Sequence, residues 1–327
     1  EKEPTILREI AFVLHQMATQ LIHVAEYSLA SRILFNLHDH HRKLLEAKDP
    51  HAQRLGKILD RKLEIGTQKL LVNDLKSNEP SRQQKAAQLL GSLGPATYPL
   101  LLEIIKTEED LRVRQIAARL LSESGPEAAD LLKRDLILEG KTEERIRILE
   151  VIDTVTRDLK NELAFVLADE LPEVRRAALH LAERLGTNQV VELLLDLAKT
   201  PVTHLAVEAI ECLGKLKPPA ANDVLLSLLT KARDSKRLAA CCRALGQIAD
   251  PGSAEPLIKI LMKKTLFLRR KKHRSRVRLA AAVALSQMDH PQVVKVMAQL
   301  LKDHDARIKE VARNWMSLTR EKSSSDR

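Results

Sequence analysis

A pattern of 13 residues returns eight times along this 327-residue chain. It reads RQQKAAQLLGSLG up to Gly94, VRQIAARLLSESG to Gly125, ERIRILEVIDTVT to Thr156 and VRRAALHLAERLG to Gly186. It continues as LAVEAIECLGKLK to Lys217, RLAACCRALGQIA to Ala249, VRLAAAVALSQMD to Asp289 and RIKEVARNWMSLT to Thr319. Successive ends lie 31, 31, 30, 31, 32, 40 and 30 residues apart. A period of this size marks an array in which each unit buries its apolar face only by stacking on its neighbours.

The columns of this alignment say what each unit is. Eight residues before the ends stand Ala86, Ala117, Ile148, Ala178, Ala209, Cys241, Ala281 and Val311, none of them polar. Seven before come Ala87, Ala118, Leu149, Leu179, Ile210, Cys242, Ala282 and Ala312, and four before come Leu90, Leu121, Ile152, Ala182, Leu213, Leu245, Leu285 and Trp315. One before the end Leu93, Val155, Leu185, Leu216, Ile248, Met288 and Leu318 follow suit, with Ser124 the exception. These offsets make one stripe of a 3.6-residue helix. Of 32 positions, 31 are apolar in a chain only 44% apolar overall, so the register is not accidental.

A further apolar segment precedes many of these helices, as at 99–105, 190–197, 223–229, 256–262 and 293–301. The unit is therefore a pair of antiparallel helices. Gly94, Gly125 and Gly186 stand where a helix closes on a left-handed residue, and Pro95 and Pro126 follow at once. Pro80, Pro172 and Pro201 mark the turn inside a repeat, where proline starts a helix cheaply. Gly91, Gly214 and Gly246 also fall in phase and suit close helix packing. With only 10 Gly and 13 Pro in all, the chain lacks the turn residues that a hairpin-rich β architecture requires.

Segments such as PEVRRAALHLAERLG, RVRLAAAVALSQM and RVRQIAARLLSESG resemble HEAT repeats, particularly the short bacterial type related to phycobilisome-lyase repeats. The resemblance runs over about residues 62–319. It implies an all-α, right-handed α-solenoid of about eight helix pairs, and a non-enzymatic scaffold that binds a macromolecule. In that family an arginine early in the second helix links neighbouring repeats. Arg114, Arg145, Arg175 and Arg278 share one column and match this, whereas Gln83, Ala206, Leu238 and Ile308 depart from it.

Residues 1–60 are helical but out of phase with the repeats. Ile6, Ile10, Val13, Leu14, Met17 and Leu21 form one apolar stripe, and Tyr27, Leu29, Ile33, Leu34, Leu37 and Leu44 run through the next helix. Two readings fit: a helical hairpin capping the solenoid of residues 61–319, or the tail of a preceding array, since AEYSLASRIL is loosely similar to tetratricopeptide helices. The chain starts at a charged residue without Met, as a piece of a longer protein would. Residues 320–327, REKSSSDR, read as a disordered polar tail. No run approaches roughly 18 apolar residues, and Glu1-Lys2-Glu3 lacks the order of a signal peptide. Cys212, Cys241 and Cys242 are too few and too ill-spaced for a disulfide framework. A reducing, cytoplasmic setting is expected.

The longest interval, 40 residues, holds a basic insertion at 263–278. Lys263, Lys264, Arg269, Arg270, Lys271, Lys272, Arg274, Arg276 and Arg278 occur there without a single acid, and they account for nine of the ten net positive charges. Placed between the two helices of one repeat, it emerges on an edge of the array, where loops carry function. It offers a cationic contact to an acidic protein, to nucleic-acid phosphate or to an anionic headgroup, or else it is simply solvated. Base readout is not expected, because the seven aromatic residues are scattered through a helical core and make no stacking platform.

Elsewhere the signals for chemistry are weak. His38 and His41 share a helix face but lack further ligands, so no metal or other cofactor is expected. Cys241 and Cys242 occupy core columns, as does Trp315, and a DNA-glycosylase role for that Trp lacks a partner carboxylate. The second helices of such repeats conventionally line the inner curve of the solenoid. Lys85, Arg119, Arg147, Arg176, Arg184, Arg243 and Arg313 escape the apolar columns there and are the candidate contacts, together with the loop residues Arg269 to Arg276. The expected function is protein binding, to a partner with an acidic surface. Nucleic-acid binding through the loop is the alternative.

Overall fold

A computed structural model describes residues 3–59, 65–138, 140–262 and 275–325. Among them every regular element is helical. The chain forms two compact units, Glu1–Glu162 and Leu163–Arg327. The first contains α1 (Glu3–His23), α2 (Tyr27–Glu46), α3 (Ala52–Leu59), α4 (Ile65–Leu75), α5 (Pro80–Ser92), α6 (Tyr98–Thr107), α7 (Leu111–Ser122), α8 (Pro126–Leu138) and α9 (Thr142–Val155). Helix α10 (Lys160–Leu167) falls at the division. The second contains α11 (Pro172–Leu185), α12 (Asn188–Lys199), α13 (Thr203–Leu216), α14 (Ala221–Lys231), α15 (Ser235–Ile248), α16 (Ala254–Met262), α17 (Ser275–Ser286), α18 (Pro291–Leu300) and α19 (Ala306–Ser325).

The eight recurring patterns are the odd-numbered helices from α5 to α19, each preceded by its own first helix. Within each unit successive second helices stack on one another, α5 on α7 and α7 on α9, then α11 on α13 and so on to α19. Each unit is thus a stretch of α-solenoid. The columns face the core: Ala86, Ala117, Ile148, Ala178, Ala209, Cys241 and Ala281 are all buried, as are Leu90, Leu121, Ile152, Leu213, Leu245 and Leu285. Each fully buried leucine contributes roughly 1.5–3 kcal/mol.

Helix ends follow the sequence signals. Gly94, Gly125 and Gly186 have φ of 60°, 98° and 54°. Lys217 and Ala249, at the same repeat position, also take positive φ, 53° and 58°, at a steric cost that glycine avoids. Asp110 and Asp234 cap α7 and α15 through the amides of Arg112 and Arg237.

Three arginines of the column, Arg114, Arg175 and Arg278, act as staples. Arg114, Arg145, Arg175 and Arg278 are 5%, 9%, 6% and 6% exposed. Arg175 Nη1 donates to the carbonyls of Asp169 and Glu170, at 2.9 and 3.0 Å, in the turn of its own repeat. Its Nε reaches Glu208 on α13 at 3.0 Å. Arg114 does the same with the Glu108 and Glu109 carbonyls and with Glu150 on α9, and Arg278 with the Leu261 carbonyl and Asp303. Gln83, which departs from arginine, still performs half of this task, since its Nε2 donates to the Leu75 carbonyl at 2.8 Å. Where the column holds Ala206, Arg237 from the following repeat supplies the donor, 2.6 Å from the Thr200 carbonyl.

Two expectations about packing change at the extremities. Among the described side chains of α1 the buried ones are Ala11, Ala18 and Ile22, whereas Ile10, Val13 and Met17 of the expected stripe stay 53%, 51% and 48% exposed. Small residues let α1 lie close against α2 and α3, which turns its bulkier stripe outward. The N-terminal pair is also joined by a third helix, α3, that packs on both. On α19, Trp315 is only partly buried and Leu318 is 59% exposed, because none of the described helices follows to cover them.

Candidate functional site

The candidate cations divide by what their side chains touch. Arg147 is committed, its Nη1 donating to the Lys106 and Thr107 carbonyls at 2.9 and 3.2 Å, so it closes the end of α6. Arg243 pairs with Glu211 on α13. Arg176 and Arg276 are exposed near the starts of α11 and α17, on the edge formed by the turns inside the repeats. Arg184 is exposed toward the opposite end of α11, and Lys85, Arg119 and Arg313 are exposed as well. Arg269, Arg270, Lys271, Lys272 and Arg274 lie outside the described residues. The last four residues of the 263–278 stretch are the first turn of α17, and Arg278 is a buried staple rather than a surface cation.

Stacking in register places the turns between α12 and α13 and between α14 and α15, together with the start of α17, along one edge of the second unit. The turn before α15 carries Lys231, Arg233 and Lys236, all exposed, against Asp234, whose carboxylate is used as the helix cap. Residues 263–274, which follow α16 in the sequence and hold most of the basic stretch, lie outside the described residues. Sequence reasoning missed Lys231, Arg233 and Lys236. The signal was present in KARDSKR, but it is diluted by an acid and breaks no period.

The first unit holds a groove of about 1220 Å³. Helix α5 forms its floor with Gln84, Ala87, Gln88 and Gly91, α2 forms one wall with Phe35 and Arg42, and α7 forms the other with Ile116, Arg119, Leu120 and Glu123. The seam is wide here for a reason visible at the glycines. A Cβ on Gly214 or Gly246 would sit 2.7 or 2.6 Å from the Cα of Ala244 or Ala284, so α13, α15 and α17 touch backbone to backbone. A Cβ on Gly91 would meet only Leu120 Cδ2, at 3.5 Å. The same column therefore packs tightly in the second unit and loosely between α5 and α7. A smaller cleft of about 590 Å³ adjoins the groove, sharing Phe35, Gln88 and Ser92.

The remaining candidates do not converge. The His38 ring lies against Gly94 and the His41 ring against Gly56. Among the described residues no group of three His, Cys, Asp or Glu side chains is placed to hold a metal. Burial pushes the thiols of Cys212, Cys241 and Cys242 up to about 12, which keeps them protonated and unreactive. Burial likewise raises Tyr98 at the end of the groove, where its hydroxyl donates to the Ser124 carbonyl at 2.9 Å. Among the described residues no helix is long and apolar enough to cross a membrane.

Residues 161–241 and 202–272 match the family described as HEAT repeats. Among curated proteins none is similar in sequence. Solved structures of similar fold include the E. coli protein YibA, at 14% identity over 76% of this chain and 90% of that one, with a TM-score of 0.40. Another is the karyopherin Kap121p bound to the extreme C-terminus of the protein phosphatase Cdc14p, at 13% identity over 93% of this chain and 45% of that one, with a TM-score of 0.42. A third is human deoxyhypusine hydroxylase in complex with glycerol, at 18% identity over 85% and 97%, with a TM-score of 0.33. Such distant likenesses concern the helical fold and assign no activity. The match, the helix pairs and the arginine staples agree with one another, and residues 161–272 are matched as HEAT repeats.

Proposed function

We propose that this helical-repeat scaffold is non-enzymatic and holds a protein partner with an acidic surface along the turn edge of its second unit. The observation that carries the reading is that Lys231, Arg233 and Lys236 at the α14–α15 junction and Arg276 at the start of α17 are all exposed and on one edge. The basic stretch of residues 263–274 extends the same charge in the sequence. Such a field steers an anionic partner and favours its bound state more than it stabilises the fold. The partner sought is one with clustered Asp and Glu.

The test is fluorescence anisotropy with a labelled poly-glutamate peptide and a labelled DNA duplex, using the full chain and a Lys231→Gln, Arg233→Gln, Lys236→Gln variant. Each rim charge is worth up to about 1 kcal/mol, so the variant is expected to bind the peptide about tenfold more weakly or worse. Equal affinity of both proteins for the peptide overturns the reading. Preferential DNA binding with a slope of log affinity against log salt near −4, the mark of about four phosphate contacts, replaces it with the nucleic-acid alternative.

A further inference from the structure

We infer that the groove of the first unit binds an extended peptide segment through its main chain, with an aliphatic or aromatic side chain seated between Phe35 and Leu120 and a basic residue at the end near Glu123. The site is separate from the basic edge and favours the opposite charge.

The occupant follows from the floor. Gln84 and Gln88 are exposed along α5, and neither amide has a hydrogen-bond partner among the described residues, whereas Gln83 next to them is committed to the Leu75 carbonyl. An amide side chain offers both a donor and an acceptor, which is what a peptide unit needs. Residues four apart on a helix are about 6 Å apart along its axis. An extended chain advances about 6.6 Å in two residues. Gln84 and Gln88 therefore keep step with alternate residues of a strand laid along α5, and Ser92, whose hydroxyl donates to the Leu89 carbonyl at 2.7 Å, continues the line with an oxygen that can still accept. A helical occupant has already spent its main-chain groups internally and leaves these amides without use. In the adjoining cleft Ser31 Oγ is buried and has no partner among the described residues, which is a further polar atom without an acceptor or donor.

The walls supply the side-chain preference. Phe35 is 63% exposed over the groove, and Ile116 and Leu120 face it from α7. Leu120 is already buried, so an apolar residue inserted there removes chiefly Phe35 and the half-buried Ile116 from water. Asp39 and Arg42 neutralise each other on α2. At the far end Glu123 and Glu127 join the carbonyl ends of α5 and α7, with one guanidinium, Arg119, a turn away. Two carboxylates and two helix C-termini favour a cation there.

The experiment titrates the full chain with short capped, fluorescein-labelled peptides that alternate leucine and serine and end in lysine. Companion peptides carry N-methyl groups on alternate backbone amides, glutamate in place of lysine, or a hydrocarbon staple that enforces a helix. Binding is expected for the plain peptide, with about tenfold loss on N-methylation, weaker binding with glutamate and no gain from the staple. The Gln84→Ala, Gln88→Ala variant should lose about tenfold, and Ala87→Trp, which fills the floor, should abolish binding. Both should keep the helical circular dichroism of the parent. The variant neutralised at Lys231, Arg233 and Lys236 should bind this peptide as the parent does, which separates this site from the basic edge. Failure of every peptide to bind, equal binding of the N-methylated form, tighter binding of the stapled form, or indifference to the glutamine variant overturns the inference.

Discussion

The guanidinium of Arg175 closes the carbonyl end of its own repeat and pairs with Glu208 on the next, while almost wholly buried. Removing it strands two carbonyls and a carboxylate together. Arg175→Met should lower stability by about 3 kcal/mol, read as a fall in the urea midpoint at unchanged slope. Adding Glu208→Gln should cost little more, because the pair is already broken. At the helix ends the direction reverses. Lys217→Gly and Ala249→Gly remove a left-handed L-residue, and each should raise stability by about 1 kcal/mol in the same measurement. The cysteines give a readout of burial: at pH 8 Ellman's reagent should leave the native protein essentially unlabelled and titrate all three thiols once it is unfolded. The arginine column and the glycine caps were legible in sequence because each recurs at a fixed offset. The roles of Arg237 and Arg147 were not, because they stand at other offsets and reach backward to carbonyls 37 and about 40 residues away.

Between elements, one column of glycines sets two different distances. Gly246→Val forces α15 away from the Ala284 backbone on α17 and should cost about 2–3 kcal/mol. Gly91→Ala, whose new methyl meets only the end of Leu120, should gain about 0.5–1 kcal/mol from helix propensity. Melting temperatures moving in the same direction for both would contradict the difference in seam width. The repeat phase marked both glycines as packing positions, yet the width of each seam depends on what the facing helix presents there, and that facing residue lies on another repeat. Helix α1 makes the same point with its apolar residues. Periodicity found its bulky stripe correctly, but Ala11 and Ala18 on an adjacent face offered closer contact with α2 and α3, and the closer contact won.

For the whole molecule, position in the array decides what a column residue is worth. Leu185→Ala, in the interior of the series, should cost about 2–5 kcal/mol. Leu318→Ser, in the same column on the terminal repeat, should change stability by less than about 0.5 kcal/mol, because the side chain is already in water. By itself the sequence determined the helix pairs, their register, the residues that face the core and the position of the basic stretch, because all of these follow from local periodicity and from offsets repeated eight times. Only the tertiary structure decided which cations are spent on carbonyls and carboxylates of neighbouring repeats, which glycines hold helices in backbone contact and where a seam opens into a groove. Those outcomes depend on distances between residues some 30 to 40 positions apart, and a one-dimensional pattern carries no record of them.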